Sequence, residues 1–81
     1  MWLVYFLKAA KNKWYYVGST DDLQRRLEQH NSGKVISTKH HKPLTVVRQV
    51  EFQDERSARA YERKVKKQRL LKEDIIRSIE M

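Results

Sequence analysis

The sequence predicts an α+β domain: a three-stranded antiparallel sheet flanked by helices, in the order β-β-α-β-α-α. Three observations carry this expectation. Two aromatic, β-rich segments near the N-terminus are separated by only a few residues, which makes a hairpin and rules out a parallel crossover. A third strand-like segment, Leu44 to Phe52, follows a stretch with helical periodicity. The rest, from Glu55 to Glu80, repeats its apolar residues at helical spacing.

The first strand is Trp2-Leu3-Val4-Tyr5-Phe6-Leu7, apolar on both faces and therefore expected to be covered on both. Ala9-Ala10-Lys11-Asn12 is the turn, and Lys13-Trp14-Tyr15-Tyr16-Val17-Gly18 returns. A turn centred between Ala10 and Lys11 sets Tyr5 directly opposite Tyr16, so that both project from one sheet face. A one-residue slip would separate them. Ser19 or Thr20 caps the first helix, and Asp21 and Asp22 suit the positive end of its dipole. That helix runs from Leu23 to about Asn31, and Gly33 ends it. Gly33 to Pro43 reads as a polar, basic loop. In the third strand Leu44, Val46, Arg48, Val50 and Phe52 alternate against Thr45, Val47, Gln49 and Glu51. Asp54 caps a second helix from Glu55 to about Leu70. A last short helix, about Glu73 to Glu80, carries Ile75, Ile76 and Ile79 on one face.

Composition narrows the function. The chain has 81 residues, 18 Lys+Arg against 10 Asp+Glu, a formal net charge of +8 and no Cys. The length suits one domain spanning residues 1–81. The missing cysteines exclude a disulfide framework, a thiol nucleophile and a Cys-ligated zinc site. No apolar run approaches the ~20 residues that span a bilayer, and Met1 to Leu7 lacks the features of a signal peptide. A soluble, cytoplasmic, monomeric protein with no membrane partner is the expectation. The positive surplus favours a polyanionic partner, foremost nucleic acid. On charge alone, Lys39, Lys42, Lys66, Lys67 and Arg69 are the candidate phosphate contacts. Exposed lysines on a small basic protein are often only solubilising.

Helical geometry separates polar residues that composition cannot. In the first helix Leu23 and Leu27 mark the buried stripe. Arg26 and His30 stack beside it at i,i+4, whereas Arg25 turns ~100° away toward solvent. In the second helix Ala58, Tyr61 and Val65 form the stripe, with Glu62 on its edge. A carboxylate facing the body of the domain must be paired, metal-bound or partly hydrated. The commoner outcome is a salt bridge to a neighbouring Lys or Arg. For His30 it is a solvated or capping imidazole, and for Tyr5 and Tyr16 a place in the core with the hydroxyl satisfied.

No zinc spacing, GxSxG, P-loop or GxGxxG occurs. Tyr5, Tyr16, Arg26, His30 and Glu62 remain, and these residue types suit phosphoryl chemistry. A carboxylate holds a hard divalent cation that keeps several waters. An arginine stabilises phosphate charge. A tyrosine, a histidine or metal-bound hydroxide activates water.

These residues, in this order, resemble the GIY-YIG nuclease superfamily, specifically its small single-domain members. Leu3-Val4-Tyr5 represents the GIY element, and Tyr16-Val17-Gly18 the YIG element. The segment from Ser19 to Gly33 is similar to the family's arginine- and histidine-bearing helix. Tyr61-Glu62 followed by Lys66-Lys67 is similar to the helix with its metal-binding glutamate. The resemblance covers nearly the whole chain. Each piece is weakly specific, and the order and spacing together are fairly specific.

The resemblance implies the same three-stranded fold and a metal-dependent DNA endonuclease, with repair or recombination as its setting. Glu62 would be the single protein ligand of Mg²⁺ or Mn²⁺, and Arg26 would bind the scissile phosphate. Tyr5 and Tyr16 would position or deprotonate the attacking water. His30 would assist proton transfer or contact phosphate. DNA is a more natural substrate than RNA. Two departures stand out: Leu3 occupies the motif's usual glycine position, and no asparagine follows Asn31, with Gln68 the nearest stand-in. Family nucleases usually have a second domain for target recognition. Here specificity would be absent, shape-based or borrowed from a protein partner. The alternative is a catalytically weak or inactive nucleic-acid-binding module on the same fold.

Overall fold

A computed structural model describes residues 1–80. The elements are β1 (Trp2–Ala9), β2 (Tyr15–Thr20), α1 (Leu23–Asn31), β3 (Leu44–Phe52), α2 (Glu55–Lys67) and α3 (Arg69–Glu80). The order is the expected β-β-α-β-α-α. The antiparallel sheet runs β2-β1-β3, so β1 is central and β2 is an edge strand.

Each sheet face is covered, as the unbroken apolar run of β1 requires. Val4, Phe6 and Val17 pack with Ala58 and Val65 of α2, and with Leu71, Ile75 and Ile79 of α3. On the opposite face Tyr5, Leu7, Ala9 and Leu44 pack with Leu23 and Leu27 of α1. The two predicted stripes on α1 and α2 are therefore the two coverings. No helix among the described residues is long and apolar enough to cross a membrane.

The hairpin register differs from the expected one. Tyr5 lies opposite Gly18, and Tyr16 opposite Leu7. The Ala9 N–H donates to the Trp14 carbonyl at 2.9 Å, so the connection is wider than a turn at Ala10-Lys11. The shift is two residues, and side chains alternate with period two, so the tyrosines still share a face. β3 also departs from simple alternation. Its register against β1 shifts between Phe6 and Leu7: Arg48 faces Phe6, but Val46 faces Leu7. The extra residue splits the predicted stripe. Leu44 and Val46 join the α1 side, while Val47 and Phe52 join the α2–α3 side.

The helix ends carry three further corrections. Asp22, rather than Ser19 or Thr20, caps α1 and accepts the Arg25 N–H at 3.1 Å. The second helix stops at Lys67 and the third begins at Arg69, because Gln68 is extended (φ −98°, ψ 93°). Asp54 caps α2 as expected, accepting from the Ser57 N–H at 2.8 Å. Gly33, at φ +82°, ends α1 as expected. The segment after it is more ordered than a plain loop. Successive turns, Thr38 N–H to the Val35 carbonyl and His41 N–H to the Thr38 carbonyl, fold Thr38 inward until it is fully buried.

Candidate active site

Tyr5 sits in the central strand and is almost fully buried. Gly18 stands opposite it, and the Tyr5 ring lies in the space a side chain there would fill. A Cβ on Gly18 would stand 2.6 Å from Tyr5 Cζ and 3.1 Å from Tyr16 Cε2. Gly18 has no positive φ, so close approach is the reason for glycine here. Gly18→Ala is expected to cost about 1–3 kcal/mol, since the buried ring has little room to give. Urea denaturation measures the loss. Unchanged stability would mean the ring can slide.

The phenol of Tyr5 meets His30 Nε2 at 2.9 Å, and His30 Nδ1 meets Thr38 Oγ1 at 2.8 Å. Thr38 Oγ1 also lies 3.4 Å from the Val35 carbonyl, to which it can only donate. It therefore accepts from His30 Nδ1–H, and Nε2 accepts the Tyr5 proton. The Asn31 side chain fixes the end of α1 to β3, accepting from the Leu44 N–H at 2.7 Å and donating to its carbonyl at 3.0 Å. His30 is thereby buried and fully hydrogen-bonded, in place of the solvated or capping imidazole that its sequence context favours.

Burial pushes the Tyr5 phenol up to about 12, against the opposing pull of the Arg26 guanidinium beside it. Burial, aided by the Arg26 charge, pushes His30 down to about 4. At neutral pH both groups are uncharged. Arg26 is half-buried and donates to Gln29 Oε1 at 2.9 Å, whereas Arg25 is exposed, as the helical geometry predicts.

The Tyr16 ring is 5.1 Å from His30 and 6.5 Å from Tyr5, centre to centre. Its outer side meets Lys66, whose Nζ lies 5.3 Å from the ring centre and 2.8 Å from Glu62 Oε2. Ser19 donates to Glu62 Oε1 at 2.5 Å. Ser19 and Tyr16 differ in strand parity, so they leave β2 on opposite faces. The cluster therefore wraps around the edge strand, with Glu62 reaching in from the α2 side. Only an edge position leaves room for this. Burial pushes the Glu62 carboxyl up, but Lys66 and Ser19 together outweigh it and leave the group below the usual carboxylate range.

The five candidate residues thus converge. The phosphate-contact candidates divide. Lys66 and Lys67 line a cavity of about 320 Å³ with Glu62, Arg59 and Arg63. Lys39 and Lys42 are exposed in the segment between α1 and β3. Arg69 points to Glu73 instead, at 3.1 Å. Four partners went unassigned from sequence. Arg59 and Arg63 fall at helical spacing with Lys66, a periodicity that finds them. Ser19 was assigned only as a cap. Thr38 has no local signal, because it pairs with His30 across a folded loop.

Among the described residues no cluster of three or more His, Asp or Glu gathers. A hard ion that keeps most of its waters needs only one ionised carboxylate, and Glu62 supplies one at the border of an open cavity, with Lys66 paired to its Oε2.

The sheet brings together the tyrosine pair, the inward arginine and the edge glutamate, and the chain belongs to the GIY-YIG family: the GIY-YIG catalytic domain matches residues 1–73. The chain is similar to the UPF0213 protein BH0048 from Bacillus halodurans, solved by solution NMR. The identity is 32%, the TM-score 0.57, and the match covers 94% of this chain and 83% of that one. No curated protein matches the chain. Leu3, at the motif's glycine position, sits in an unbroken ladder between Thr20 and Glu51, so the substitution leaves strand pairing intact.

Proposed function

We propose that this chain is a divalent-metal-dependent endonuclease that hydrolyses phosphodiester bonds in DNA, in repair or recombination. It acts as a monomeric, cytoplasmic domain of residues 1–81, with any target specificity taken from DNA shape or a protein partner. The observation that carries this is the unbroken contact path from Tyr5 through His30, Tyr16 and Lys66 to Glu62, with Arg26 alongside Tyr5.

Glu62 is the residue that would hold Mg²⁺ or Mn²⁺. Bound there, the ion would neutralise charge on the reacting phosphate and its leaving oxygen. Arg26 binds the same phosphate, and its fork geometry suits paired phosphate oxygens. Tyr5 relays a proton. Its Oη takes one from the attacking water as its own passes to His30 Nε2, and Thr38 holds the resulting imidazolium at Nδ1. Tyr5 stays neutral throughout, as its raised pKa requires. Burial is the larger cause of the depressed His30 pKa, and a phosphate drawn against Arg26 offsets the smaller one, the Arg26 charge, making the imidazole somewhat more basic when substrate is in place. Tyr16 positions the water beside them. Lys66, Lys67, Arg59 and Arg63 form a basic row along α2 that suits the DNA backbone, with Lys39 and Lys42 on the α1 side.

The test is incubation with duplex, flap, branched and single-stranded DNA in Mg²⁺ and in Mn²⁺. Cleavage that stops on chelation is expected. Salt-sensitive binding without cleavage of any substrate would overturn the enzymatic reading and leave a nucleic-acid-binding module.

A further inference from the structure

Glu62 has two oxygens, and each has a different kind of partner. Oε1 accepts from the neutral Ser19 hydroxyl, while Oε2 meets the Lys66 ammonium at 2.8 Å. That ammonium also faces the Tyr16 ring at 5.3 Å. A carboxylate oxygen on one side and a π-face on the other are the surroundings of a bound cation. Of the four basic residues around the cavity, Lys66 alone bonds Glu62.

We propose that Lys66 is the resident counter-cation of the Glu62 site. Its ammonium holds the position at Oε2 that a divalent ion takes, and it must swing away before the ion binds. The inference rests on the reading of Glu62 as the metal ligand. Sharing is disfavoured, because one carboxylate would face three positive charges in a cavity whose other lining groups, Arg59, Arg63 and Lys67, are also cationic. Exchange is feasible, because Lys66 lies at the surface on a four-carbon stem that reorients freely. Lys66 is thus a positioning residue. It keeps Glu62 ionised and aimed past Tyr16, and it lowers the affinity of the site for metal.

The experiment measures Mn²⁺ binding to the protein alone, from the electron paramagnetic resonance signal of the free ion, so cleavage plays no part. Lys66→Met is expected to bind Mn²⁺ about tenfold more tightly than the parent. Lys66→Arg, which keeps a cation at the site, should remain near the parent. Lys64→Met removes the same charge from α2 without touching Glu62, and should also remain near the parent. Glu62→Gln should lose binding in both the parent and the Lys66→Met background. Equal or weaker binding by Lys66→Met, or an equal gain in Lys64→Met, overturns the counter-cation while the metal role of Glu62 stands. Binding that survives Glu62→Gln, or no binding by any variant, overturns both.

Discussion

Glu62→Gln is expected to slow phosphodiester cleavage by about 10²–10³-fold while changing the free energy of unfolding by about 1 kcal/mol or less. The two effects separate because the side chain has two sets of partners. Gln keeps an oxygen to accept from Ser19 and keeps the volume that packs at the edge of β2. It loses the negative charge that pairs with Lys66, and a pair whose lysine is solvent-exposed contributes modestly to folding. The same charge is what would hold a hard cation, for which a neutral amide is a poor substitute. Single-turnover cleavage and urea denaturation of the same preparation test the two halves. Cleavage near the parent rate by folded Glu62→Gln would remove Glu62 from the chemistry. A large loss of stability would make the charge a structural requirement. Arg26→Lys provides a useful contrast. It keeps the charge but not the fork, so a strong loss of cleavage there would point to paired oxygen contacts.

How much of this site was legible beforehand depended on how local its determinants are. The limits of α1 and β3 match the expected ones because periodicity, alternation and the break at Gly33 all lie within a few residues, although the cap itself falls at Asp22. The separation of Arg26 from Arg25 follows from helical geometry alone. The hairpin register did not follow, because Ala9-Ala10-Lys11-Asn12 contains no Gly, Pro or Asp-Gly to fix the turn. The pairing of the tyrosines tolerated that error because a two-residue slip preserves the face. The division into two helices was expected, but its place at Gln68 was equally hidden, since neither glycine nor proline marks it. Two features were out of reach in kind. The bulge in β3 depends on both covering layers at once. The burial of His30 depends on Thr38, brought in by turns that a polar, basic sequence does not announce.

That burial makes the protein acid-sensitive in a defined window. In the folded protein burial holds the His30 pKa down at about 4, against 6.5 for a free imidazole side chain. Between those values the unfolded chain binds a proton that the folded protein does not. Stability therefore rises with pH across the window and falls as pH drops from about 6.5 toward 4. Taken over the whole interval the loss is about 3 kcal/mol, a large share of what a domain of this size holds. Urea unfolding at pH 7 and at pH 4.5 measures it. His30→Gln has no titrating group at this position and keeps one donor and one acceptor for Tyr5 and Thr38. It should start less stable but lose less between the two pH values. An equal loss in parent and variant would assign the acid sensitivity to other groups. Cleavage provides an independent check. If His30 accepts the Tyr5 proton, the acid limb of kcat/KM, which reports the free protein, falls near the depressed pKa of the buried imidazole rather than near 6.5. A limb at 6.5 would mean that a solvated group, not His30, takes the proton.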